Sequence, residues 1–217
     1  MKKTVLLLVL VLIPAAVLTA QLQAVVKETT GKVEIKTSGS TAWVAAKAGT
    51  KLAKGSFITT GFNSTAVLEL GPAVLQVKPL TRMQLEDLVA SEGTVSTELF
   101  LKVGKVRAEL KTTAGVKQNF TLKSAVSTAA VRGTEFEFDG LVVKVINGQV
   151  FFYNSVGQSR SVAAGEQSST DGQQAPTSGD EELGSTTEIA TSTAPTEDGA
   201  PSEPPPILNA TVTIRWQ

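Results

Sequence analysis

The 217-residue chain contains no cysteine and no histidine. Without cysteine there is no disulfide, so the fold rests on its core, and thiols say nothing about the compartment. Without histidine there is no side chain whose ordinary pKa lies near neutrality, and zinc and redox metals lose both preferred donors. Charged residues are scarce at 18%, against roughly 25% in ordinary soluble proteins. Aromatics are few as well, with two Trp and one Tyr. Neither a Walker loop, a G-x-S-x-G elbow, a dinucleotide-binding glycine motif nor an EF-hand loop occurs. No nucleophile–base constellation is visible, so catalysis is not expected, and neither a cofactor nor a metal is implied.

Thr, Ser, Val and Gly fill the space left by charge, which leans toward strands and turns. Apolar and polar residues alternate in Val33–Lys36, Val67–Leu70, Leu75–Lys78, Val103–Leu110, Glu135–Phe138 and Val143–Val145. Such alternation puts one side of each strand on a core and the other in water. Glycines punctuate these runs at short intervals. Asp139-Gly140 and Asn147-Gly148 each stand between apolar strands and predict two-residue hairpins. Only the run from Arg82 to Leu88 has a helical look, and it is short. The expected architecture is all-β, a sandwich or roll of many short, mostly antiparallel strands.

Charge divides the chain. Residues 25–165 carry 17 Lys+Arg against 11 Asp+Glu, and residues 166–206 carry nine acidic residues and no basic one. Lys2-Lys3 precede an apolar run from Thr4 to Leu18 and then small residues, the pattern of a secretory signal. The run is short for a bilayer span and holds Pro14. Residues 1–24 are therefore expected to direct export, with cleavage after Ala20, or alternatively Ala24. An uncleaved membrane anchor is the other reading, and membrane association is expected only in that case. The Ser/Thr/Pro-rich acidic stretch 167–206 reads as a disordered linker. In the closing segment 207–217, Val212, Ile214 and Trp216 alternate as one strand. That strand either closes the domain's own edge or adds to a partner.

The stretch Val131-Arg132-Gly133-Thr134-Glu135-Phe136 resembles the V-R-G-T-x-F signature of the FecR domain. Gly31-Lys32-Val33, Gly55-Ser56-Phe57-Ile58-Thr59-Thr60, Val145-Ile146-Asn147-Gly148-Gln149-Val150 and Ala164-Gly165-Glu166 follow in that family's order. The resemblance covers residues 25–166. Ser56 stands where Asp is common, and Lys123-Ser124 where Thr-Pro usually stands. Only Met1-Lys2-Lys3 precede the apolar run, so the chain resembles the stand-alone exported members without the cytoplasmic anti-sigma segment. The resemblance implies a binding or scaffolding module of the bacterial envelope, in the periplasm or at the cell surface. Its partner would be an envelope protein or a glycan, with nucleic acid not expected because Lys and Arg are dispersed. A signal-sensing component of a FecR-type system and a carbohydrate-binding module, with Trp43 as a stacking residue, are the alternatives.

Val131, Arg132, Gly133, Thr134 and Phe136 are read as structural. Gly133 would allow a bend, and Arg132 would clamp Glu135, Glu137 or backbone carbonyls. Arg132 as an anion or partner contact is the alternative. Phe136 and Phe138 share a face and are expected in the core, whereas Phe151 and Phe152 point to opposite faces.

Overall fold

Strand-forming alternation governs the chain from Ala24 onward. A computed structural model describes residues 22–177. Seventeen strands follow one another: β1 (Ala24–Thr30), β2 (Val33–Lys36), β3 (Val44–Ala45), β4 (Lys51–Leu52), β5 (Phe57–Thr60), β6 (Thr65–Leu70), β7 (Ala73–Val77), β8 (Arg82–Ser91), β9 (Thr94–Val103), β10 (Val106–Leu110), β11 (Lys117–Lys123), β12 (Ser127–Val131), β13 (Glu135–Phe138), β14 (Val142–Asn147), β15 (Gln149–Asn154), β16 (Ser159–Ala163) and β17 (Gln167–Ser169). No helix occurs among the described residues, and the helical-looking run at 82–88 lies within β8.

The strands form two sheets. One has the order β17-β14-β13-β10-β7-β6-β1-β4, the other β16-β15-β12-β11-β9-β8-β5-β2-β3. Both orders run nearly monotonically with sequence, so the chain advances along the molecule and deposits strands on each sheet in turn. The apolar half of the alternation points inward along most strands, with Val44 and Val103 as exposed exceptions. Buried residues from Ala24 to Val162 make one core between the sheets, and Phe136, Phe138 and Phe152 are its largest members. Phe138 meets Phe152 edge to face at 6.3 Å, joining the two sheets. All pairings are antiparallel except β9 with β11.

The turns therefore collect at two rims. One rim carries residues 31–32, 61–64, 78–81, 104–105, 124–126 and 139–141. The other carries 71–72, 92–93, 111–116, 132–134 and 148. Threonine and serine hydroxyls tie turns together where the chain changes sheet. Thr60 Oγ1 donates to Lys78 O at 2.6 Å, and Thr81 Oγ1 lies 3.1 Å from Lys105 O and accepts from Lys105 N–H at 3.0 Å. Buried backbone groups need such partners, which accounts for the wealth of Ser and Thr.

Three expectations change. Asp139-Gly140 does join a hairpin, β13 to β14, with Asp139 Oδ1 accepting from Leu141 and Val142 N–H. Asn147-Gly148 does not, because β14 and β15 belong to different sheets. At φ +85, Gly148 turns the chain from one sheet to the other, and its bare α-carbon lets Thr134 approach. The run Val103–Leu110 is broken at Gly104-Lys105 into two strands, also in different sheets. Finally, the linker expected from 167 does not begin there. β17 pairs with β14, and Thr170, Gly172 and Gln174 are hydrogen-bonded to Leu141, Ser155 and Asn154. Ser168 and Thr170 are buried, and their hydroxyls donate to Thr177 O and Gln174 O, a role that composition alone does not separate from disorder. The apolar run 4–18 and the terminal strand, with Val212, Ile214 and Trp216, lie outside the described residues.

Candidate functional site

The Val131–Phe136 segment crosses from one sheet to the other, since it ends β12 and begins β13. Four of its members are structural. Val131 and Phe136 are core residues, and Phe136 packs edge to face on Phe120 at 6.3 Å. Gly133 has φ +61. Thr134 is buried, and its hydroxyl donates to Gln149 O at 2.8 Å and lies 3.2 Å from Arg132 O. Thr134 O in turn accepts from Leu110 N–H at 3.1 Å. The Thr134 hydroxyl thus secures the sheet crossing to the neighbouring crossing at Gly148.

Arg132 behaves differently. It is exposed, and its hydrogen bond among the described residues runs from Nη2 to Asn119 Oδ1 at 3.2 Å. The clamp onto Glu135 and Glu137 expected of it is made by Arg107 on β10. Arg107 reaches Glu135 Oε1 at 2.6 Å through Nη2 and 3.0 Å through Nε, and Glu137 at 3.9 Å. The registers explain the difference, because Arg107 pairs directly with Glu137 across β10 and β13, while Arg132 sits in the turn beyond β12. The Glu135 hydrogen bond raises the Arg107 guanidinium further above its ordinary value, with desolvation opposing it.

Arg132 stands at the end of a shallow groove of about 590 Å³ on the outer face of the second sheet. Its floor is Ala130, between Thr121 and Phe151 on the flanking strands β11 and β15. The small side chain of Ala130 leaves the trough, and Phe151, 49% exposed, forms an apolar wall. Asn119 and Gln149 complete the Arg132 end. The arrangement presents a planar cation, two amides and an aromatic surface. A guanidinium fork with free donors suits a carboxylate. Sequence reading did not find Asn119 or Gln149, which are remote from the signature and meet it only through strand register.

Trp43 is half-buried rather than an open stacking surface, with Lys36 Nζ 5.5 Å and the Arg82 guanidinium 5.4 Å from its ring centroid. No group of three or more His, Cys, Asp or Glu among the described residues could hold a metal ion.

Residues 56–151, from the start of β5 into β15, match the family model described as FecR protein. Over those residues the chain resembles a FecR domain. Two crystal structures of a candidate anti-sigma factor from Parabacteroides distasonis are similar to it, at 16% and 15% identity with TM-scores of 0.45 and 0.46. Each comparison covers 56% of this chain and 59% of that protein, so the match spans under two thirds of the relative's length. No curated protein matches the sequence. The FecR match leaves β1–β4 and β16–β17 outside it, yet these strands complete both ends of both sheets.

Proposed function

We propose that this chain is an exported, non-catalytic FecR-domain module of the bacterial envelope, and that the Arg132 groove receives a carboxylate-bearing ligand or partner. One observation carries the reading: within the signature, Val131, Thr134 and Phe136 are buried while Arg132 is turned to solvent beside two amides and an exposed aromatic ring. A buried clamp would spend the guanidinium donors on the protein, whereas Arg132 uses one hydrogen bond and keeps the rest for a ligand. Export rests on Lys2-Lys3 and the apolar run that follows. Processing after Ala20 fits the body better than processing after Ala24, because Ala24 is buried and pairs with both Leu52 and Leu70.

Two-dimensional NMR of the chain from Gln21, titrated with short peptides bearing a free carboxyl terminus and with uronic-acid oligosaccharides, tests the groove. Shifts confined to Asn119, Arg132 and Gln149 side chains, lost in Arg132→Gln, are expected. Binding unchanged in Arg132→Gln removes the groove from the account.

The family match at 56–151 favours a second reading, a component of a FecR-type regulatory system. That role needs a link through the membrane. Recovery of the native protein in the membrane fraction with Met1 or Lys2 at its N-terminus supports it, and a soluble product beginning near Gln21 counts against it.

A further inference from the structure

Far from the groove, on the rim that gathers the 31–32, 61–64, 78–81 and 104–105 turns, three apolar side chains face solvent. Phe62 is 76% exposed, Leu80 58% and Val103 59%. Backbone hydrogen bonds tie the neighbouring turns to one another. Gly61 N–H donates to Lys32 O at 2.9 Å, Leu80 N–H to Gly61 O at 3.2 Å and Lys78 N–H to Lys105 O at 3.0 Å. Leu80 has φ +55 and Asn63 has φ +50. A leucine in the left-handed region is unusual, since its Cβ is crowded there and glycine would fit without strain. Here that backbone strain presents an apolar side chain to water, so neither the fold's backbone nor its core gains from the leucine. Strain and exposure at one position point to a contact made outside the molecule.

The same rim is cationic. Lys32, Lys78, Lys102 and Lys105 lie in or next to the turns that carry the three apolar side chains. The Lys78 ammonium bonds Gln76 Oε1 at 3.3 Å and that of Lys102 lies over the Phe57 ring at 5.4 Å, so neither has a carboxylate partner among the described residues. Lys32 and Lys105 make exposed pairs with Glu34 at 3.2 Å and Asp139 at 3.7 Å, which a competing phosphate can displace.

We propose that this rim docks on an anionic lipid surface, with Phe62, Leu80 and Val103 entering the headgroup layer and the four lysines facing lipid phosphates. Apolar tips on a rim that carries lysines match a surface that is anionic outside and apolar beneath. Separate tips on separate segments, with two of the four cations free of a carboxylate partner among the described residues, suit a fluid layer better than the defined relief of one protein partner. This route to the membrane needs no uncleaved N-terminal segment and is independent of the Arg132 groove.

The test uses the chain from Gln21 to Gln217, which retains every core residue, in co-sedimentation with vesicles. Binding is expected to phosphatidylglycerol-containing vesicles, to weaken with salt, and to be absent with pure phosphatidylcholine. Loss of one inserted apolar side chain in Phe62→Ser or Leu80→Gly should weaken binding about tenfold. Leu80→Gly should do so with an unchanged or raised melting temperature, because it relieves the left-handed strain. Lys78→Gln together with Lys102→Gln should reduce both binding and its salt dependence. Failure of the unaltered chain to sediment with anionic vesicles at low salt overturns the proposal, and a protein partner for the rim then becomes the reading to pursue. Binding unaffected by Phe62→Ser and Leu80→Gly overturns it equally, since charge alone would then account for the contact.

Discussion

Arg132 and Thr134 stand two residues apart and do opposite things. The buried Thr134 hydroxyl satisfies Gln149 O, so Thr134→Val keeps the shape and leaves that carbonyl unpaired, at a cost of about 1–3 kcal/mol. Arg132→Ala touches a side chain in solvent and should change stability by no more than about 0.5 kcal/mol. Urea unfolding of the two variants separates them, and equal losses would mean that Arg132 is structural after all. Ser56 gives a third residue-level expectation. It is fully buried, and its hydroxyl has no hydrogen-bond partner among the described residues. Ser56→Ala removes an unsatisfied polar group and should leave the protein as stable or more stable, by up to about 1 kcal/mol. The FecR resemblance sets Ser56 where Asp is common, but nothing in the sequence tells that its oxygen is buried without a partner, because burial of a single turn residue has no periodic signature.

At the level of strands, the inward faces were legible and the paths between them were not. Phe136, Phe138 and Phe152 are buried as their alternation implies, and Phe151 points outward. Alternation fixes a face without fixing which sheet a strand joins, so Asn147-Gly148 reads as a hairpin although it crosses between sheets. Crossings are decided by side chains distant in sequence. At Gly104, with φ +100, a Cβ would overlap the Thr81 backbone and hydroxyl. Gly104→Ala should therefore cost on the order of 3 kcal/mol in thermal or urea unfolding, from strain and overpacking together. Lys123 shows an electrostatic contact between strands. Its ammonium bonds Glu98 at 2.9 Å and lies 3.6 Å from Glu86. The Glu98 hydrogen bond raises its pKa, against desolvation and with added attraction from Glu98 and Glu86. A raised lysine pKa stabilises the fold fully below the ordinary lysine value, and the gain vanishes as pH rises through the higher folded value. All three side chains are about a third exposed or more, so screening holds the effect under about 1 kcal/mol. Lys123→Met should accordingly narrow the stability difference between neutral and strongly alkaline pH, and added salt should mask that change.

Across the whole molecule, near-monotonic strand order puts the two ends of the described chain at opposite ends of one sandwich, with β1, β3 and β4 at one and β16 and β17 at the other. The end of the body was misplaced by composition, since the acidic, Ser/Thr-rich character begins near Glu166 while the fold continues to Thr177. Ser168 and Thr170 are buried, Ser155 Oγ donates to Gly172 O at 2.5 Å, and Asn154 Nδ2 donates to Gln174 O at 2.9 Å. Asp171 accepts from the Gln173 and Gln174 N–H groups, each at 2.9 Å. All the core hydrophobics among the described residues lie between Ala24 and Val162, so ending the chain at Thr177 or at Glu166 removes none of them. A chain ending at Thr177 should then unfold at the same urea midpoint as one ending at Gln217. A chain ending at Glu166 loses β17, exposes the edge of β14 and strips the hydrogen-bond partners from Leu141 O, Asn154 and Ser155. At about 1 kcal/mol for each buried bond, it should lose several kcal/mol. Matching midpoints for all three chains would mean that residues 167–177 lie on the body without supporting it, and would return the boundary to Glu166.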